Sequence, residues 1–166
     1  MRLQVGDVVV YGSHGVGRIA ARETRLVSGE EREVVAVELG DGLTVTLPVD
    51  RARGLLRAPV TERDVRRVQE TLRQSAEVSQ EPWLSRQRAA LAKLADGDPV
   101  GLAEILRDGA SRERALLAKG TRTQLSPGER DVFSRAHQLL ASEIALVRGV
   151  GEDEASRWID EQLARA

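Results

Sequence analysis

The 166-residue chain has no cysteine, which excludes disulfide frameworks, thiolate nucleophiles and Cys-ligated zinc together. Only two histidines are present, His14 and His137, too few for a His-rich metal site. Aromatic residues make up 2%, namely Tyr11, Trp83, Phe133 and Trp158. Few rings are therefore available to fill a core, and the position of each is informative. No apolar run approaches the ~18 residues that a membrane span requires. Met1 to Asp7 lacks the apolar stretch of a signal peptide, so a cytoplasmic protein without membrane contact is expected. The net charge is −1. That gives no global attraction to nucleic acid, and any such site must be a local patch.

The hydrophobic fraction of 41% and the charged fraction of 31% fit a soluble globular chain. Of 25 basic residues, 23 are arginine, a planar donor suited to bidentate anion recognition. Two halves differ in period. Residues 1–57 read as strands: Val8 to Tyr11, then a turn at Gly12-Ser13-His14-Gly15, then Val16 to Val27, broken by Ser28-Gly29. Val34 to Val37 follows, then Asp41-Gly42 as a hairpin signal and Leu43 to Leu47. Pro48 ends that strand or places it on an edge. Four or five short strands with tight turns suggest a small barrel or a strongly bent sheet.

From about residue 60 the period becomes helical. Thr61 with Asp64 opens one helix, with Val65, Val68 and Leu72 on one face. A second helix is expected from Trp83 to Ala95. Asp98 and Pro99 open a third, which Gly109 is expected to interrupt, with Ser111 capping a short fourth. Ser126-Pro127-Gly128-Glu129 is a capping box with proline at the first position. It opens a long helix through Phe133, Ala136, Leu140 and Val147, and Glu152 to Arg165 is a terminal helix. The expected architecture is α+β: a β module at 1–57 and a helical bundle at 58–166.

Enzyme motifs are missing. No GxxxxGK[ST] loop occurs, and Gly12, Gly15 and Gly17 open no helix. No cofactor is expected. Most carboxylates stand beside arginine at helical spacing, which fits solvated ion pairs. The segment Trp83 to Lys93 differs, with three basic residues and no acid. At about 100° per residue, Trp83, Arg86, Ala90 and Lys93 form one stripe, and Leu84, Leu91 and Ala95 another. The second stripe can pack on the bundle while the first displays an indole, a guanidinium and an ammonium. Such a face would bind phosphates, and a large rigid side chain among the cations could wedge at a minor-groove base step. Trp83 as a core residue or hydrophobic staple is the competing reading. Trp158, beside Ile159, reads as packing.

These segments resemble, in order and spacing, the CarD/CdnL family of bacterial transcription regulators. Val5 to Gly17 is similar to that family's "GDxVVY…HGxG" opening. Glu23-Thr24-Arg25 with Ser28-Gly29-Glu30 is similar to its next strand and hairpin, and Leu43 to Pro48 to its last barrel strand. Trp83 to Asp98 resembles the Trp-bearing helix with its "KLAxGD" stop, and Leu125 to Arg130 the "LSxxE" helix start. The resemblance implies a Tudor/SH3-like barrel that binds the RNA polymerase β subunit through Arg25 and the strand Val45-Thr46-Leu47-Pro48. Where the family often carries a second polymerase-contacting arginine, this chain has Thr46. It also implies a helical domain that contacts double-stranded promoter DNA at the upstream bubble edge and stabilises the open complex. Trp83 is then the minor-groove wedge, with Arg86, Arg88, Lys93, Arg112 and Arg130 at basic positions. Arg88 stands about 140° from Trp83 around the helix. A monomer localised to the nucleoid through polymerase is implied. A protein-interaction adaptor of polymerase, without DNA wedging, is the alternative.

Overall fold

A computed structural model describes residues 1–120 and 124–166. The chain divides into two units, Met1–Pro59 and Val60–Ala166. The order is α+β, sheet first and helices after, as the sequence implies.

The first unit holds β1 (Val8–Tyr11), β2 (Gly15–Val27), β3 (Glu30–Leu39), β4 (Thr44–Pro48), α1 (Val49–Leu55) and β5 (Leu56–Arg57). The strands form one antiparallel sheet in the order β4-β3-β2-β1-β5. Alternation explains the faces. Val9, Ile19, Val35, Val37 and Leu39 point inward and join Leu3 and Leu56 in one core. The β2–β3 register shifts between Ile19 and Ala21, a bulge that bends the long strand. Ser28 and Gly29 both take positive φ, 54° and 84°, as the two-residue hairpin turn requires. Beyond Glu23 the two strands continue as an exposed ribbon, Thr24–Val27 against Glu30–Glu33.

Helix α1 corrects the all-strand reading of 1–57. Pro48 ends β4 and stands at the N-cap of α1, which buries Val49 and Ala52 against the sheet. A seven-residue helix containing Gly54 carries almost no intrinsic signal. Its stability comes from that burial.

The second unit holds α2 (Glu62–Arg73), α3 (Trp83–Asp96), α4 (Pro99–Ala118), α5 (Pro127–Arg148) and α6 (Glu152–Ala164). Capping boxes at Thr61/Asp64 and Ser126/Glu129 start α2 and α5. Asp98 caps α4, with Pro99 in its first turn. Val65, Val68 and Leu72 meet Leu102, Leu106, Leu140, Ile144 and Ile159 in the core. Each such side chain contributes about 1.5–3 kcal/mol by leaving water. Glu143 is buried in this unit at 1% exposure and accepts the Val60 backbone N–H at 2.8 Å.

Helix α4 runs unbroken through Gly109 and Ser111, against the expected interruption. A Cβ at 109 would stand 2.7 Å from Phe133 Cδ2. Glycine is there to let α4 approach α5, and the packing offsets its poor helix propensity of about 1 kcal/mol. Trp158 is half-buried against the core, under the Arg148 guanidinium at 4.4 Å, as a packing residue would be. Among the described residues no helix is long and apolar enough to cross a membrane.

Candidate nucleic-acid interface

Helix α3 has no buried residue. Ala90 and Leu94 touch the core only partly, and a cavity of about 280 Å³ lies against the helix, bordered by Ala90, Ile105 and Phe133. Polar contacts add to this packing. The Trp83 Nε1–H donates to Ser126 Oγ at 3.1 Å. Arg86 donates to Glu129 Oε1 at 3.1 Å and to the Glu81 carbonyl at 2.6 Å. Lys93 pairs with Glu104 of α4 at 2.7 Å.

The expected orientation of α3 is therefore reversed. The stripe of Trp83, Arg86, Ala90 and Lys93 faces α4 and α5. The stripe expected to pack, Leu84, Leu91 and Ala95, faces solvent, with Leu84 54% and Leu91 46% exposed. The inward face carries Ala90 and Leu94, which pack on the core, and Glu104 and Glu129 on neighbouring helices engage the cations beside them. Trp83 lies at the boundary, 46% exposed. Its ring edge rests by Gly128, where a Cβ would meet Trp83 Cζ2 at 3.6 Å.

Glu129 is the centre of this arrangement. Its carboxylate accepts the Ser126 N–H, which closes the α5 capping box, and it also accepts Arg86. Arg112 of α4 approaches the same oxygen at 3.5 Å. Partial burial pushes the Glu129 carboxyl up. The hydrogen bonds from Ser126 and Arg86 and the charge of Arg112 outweigh that effect and hold it below the ordinary glutamate range.

The five cations named for DNA thus fall into two sets. Arg86, Lys93 and Arg112 are engaged by Glu129 and Glu104. Arg88 and Arg130 are exposed and have no acidic partner among the described residues, although Arg130 donates to Gln124 Oε1 at 3.1 Å. Leu84 was expected to pack and is exposed instead. Which face of α3 is outward depends on contacts with α4 and α5, and those are invisible along the chain.

In the sheet unit, Arg25 stands on the exposed β2–β3 ribbon and pairs with Glu23. Among the described residues strand β4 pairs with β3 alone, through Val34 to Glu38, and lies at the sheet edge. Thr46 is exposed, while Val45 and Leu47 lean on the core. An edge strand turns alternate N–H and C=O groups outward, where an added strand can pair with them.

Two family models match the chain. One, described as CarD, C-terminal domain, covers residues 67–160, and the other, described as CarD-like/TRCF RID domain, covers residues 3–60. A relative in Bacillus subtilis (strain 168), named "Putative transcription factor YdeB", is 24% identical over 153 residues, spanning 91% of this chain and 95% of its own.

Proposed function

The chain belongs to the CarD family of transcription regulators, and from that membership we propose that it acts at initiation by prolonging the life of the promoter open complex. In this reading the sheet unit docks on the RNA polymerase β subunit, with β4 offering backbone groups and Arg25 a side-chain contact. Thr46 adds no charge, and strand pairing needs none. The helical unit then meets the upstream edge of the bubble. Trp83 wedges into the minor groove, and Arg88 and Arg130 hold phosphates on either side. Arg86, Lys93 and Arg112 serve chiefly to fix α3 against α4 and α5, so that the indole is presented rigidly.

One observation carries this reading. A tryptophan in a chain with so few rings is left nearly half exposed at a helix start, with its ring oriented by the N–H bond to Ser126 Oγ. A core residue would be buried. Docking through the sheet supplies the helical unit at high effective concentration, so few phosphate contacts suffice despite the net charge of −1. Opened DNA is favoured because a wedge fits where stacking is already broken, and binding one state preferentially shifts the equilibrium toward it.

The second reading is an adaptor that places another protein on polymerase. The exposed leucines of α3 favour it, since apolar helix faces are common protein contacts. Open-complex lifetime with cognate polymerase separates the two readings. Wild-type protein should lengthen it, and Trp83→Ala should abolish the gain while polymerase binding persists. Equal lifetimes with both proteins would remove Trp83 from the mechanism.

A further inference from the structure

The outward stripe of α3 contains a side chain that neither the capping contacts nor the core explains. Leu84 follows Trp83 in the first helical turn and is 54% exposed, more than the indole itself. Four residues on, Arg88 lies one turn above it on the same face, exposed and without an acidic partner among the described residues. From Trp83 to Leu94 the helix carries no acid. Trp83 and Leu84 are about 100° apart around the axis. The indole is tied on one side to Ser126, whereas Leu84 projects freely.

We propose that Leu84 is a second wedge residue, entering the minor groove beside Trp83 at the unstacked base step, with Arg88 on the adjoining phosphate. This rests on the open-complex reading above. The chemistry fits the position. Minor-groove proteins insert leucine as well as phenylalanine between base steps, because an unstacked step presents base faces that favour an apolar side chain. A phosphate cation one turn away fixes the depth of insertion. Trp83 alone, held edgewise by its hydrogen bond, covers one side of such a gap. Leu84 covers the other. Leu91 shares the stripe but lies about 10 Å further along the axis, beyond the wedge.

The test measures open-complex lifetime with cognate polymerase for full-length wild type, Trp83→Ala, Leu84→Ser, Leu84→Met and Leu91→Ser, with melting temperature as a control on folding. Leu84→Ser should shorten the lifetime about fivefold relative to wild type, the size expected for losing the burial of roughly half a leucine. Leu84→Met should restore it, and Leu91→Ser should leave it unchanged. If Trp83→Ala shortens the lifetime but Leu84→Ser does not, the proposal falls and the open-complex reading stands. If Leu84→Ser and Leu91→Ser shorten it alike, the stripe acts as a whole and not as a wedge at the helix start, and the proposal falls. If wild type itself has no effect, the underlying reading fails with it.

Discussion

The indole N–H of Trp83 and the backbone N–H of Glu129 both donate to one atom, Ser126 Oγ, at 3.1 and 3.2 Å. The hydroxyl that starts α5 is therefore also the hydroxyl that orients the exposed ring. Replacing Ser126 with alanine should cost about 1 kcal/mol of stability through the lost cap. The open-complex effect should weaken as well, because the ring loses its anchor. Ser126→Thr keeps an oxygen in place and should retain most of both. Chemical denaturation and open-complex lifetime, measured on the same proteins, check the pair of outcomes.

Two arginines two positions apart should behave oppositely. Arg88 is free for phosphate, so Arg88→Ala should leave stability within about 0.5 kcal/mol of wild type. It should also lower the salt slope of DNA binding by about one. Arg86 holds Glu129 and the Glu81 carbonyl. Arg86→Ala should therefore act first on stability. A binding titration across salt concentrations, beside a urea titration, distinguishes them. Identical profiles would refute the division of cations argued above.

Glu129 makes the helical unit acid-sensitive in a defined direction. Its carboxyl titrates below the ordinary range in the folded protein, partial burial opposing and Ser126, Arg86 and Arg112 prevailing. The unfolded chain, with an ordinary glutamate near about pH 4.3, then binds more protons than the folded one in that window. The stabilisation is present above that pH and is lost as pH falls through the folded value. Glu129→Gln keeps an acceptor for Ser126 but no charge. The stability of this variant should fall less steeply on acidification, as read from urea midpoints across pH. Glu33, Glu62 and Asp64 are lowered in the same direction by Arg22, Arg148 and Thr61, so an acid limb remains in the variant.

Gly109→Ala should destabilise despite the better helix propensity of alanine. The clash with Phe133 at 2.7 Å costs about 1–3 kcal/mol, against a gain of about 1 kcal/mol from propensity. In a Phe133→Leu background the sign should reverse. A double-mutant cycle by denaturation measures the coupling.

These cases show where the sequence speaks. The helix starts at Thr61/Asp64 and Asp98-Pro99 and the capping box at Ser126/Glu129 were legible because each is a contact between residues three positions apart or fewer. The unbroken run through Gly109 was not, because its reason sits on α5. Helix α1 was hidden by its length and by Gly54. The facing of α3 was inverted because the reading placed Leu84, Leu91 and Ala95 inward, whereas Ala90 and Leu94 pack on the core and Glu104 and Glu129 on other helices engage the cations beside them. Trp83 was visible as an unusual residue from composition alone. That Leu84 stands outside with it required the folded chain.

Strand β4 carries a liability along with its use. A row of unsatisfied backbone groups that can accept a strand from another protein can equally accept one from a second copy of this chain, and such pairing propagates into aggregates. The strand has five residues and ends in Pro48, which supplies no N–H. Both features limit self-pairing. Lengthening the strand or replacing Pro48 would extend the open edge, so the brevity of β4 reads as protection against self-association.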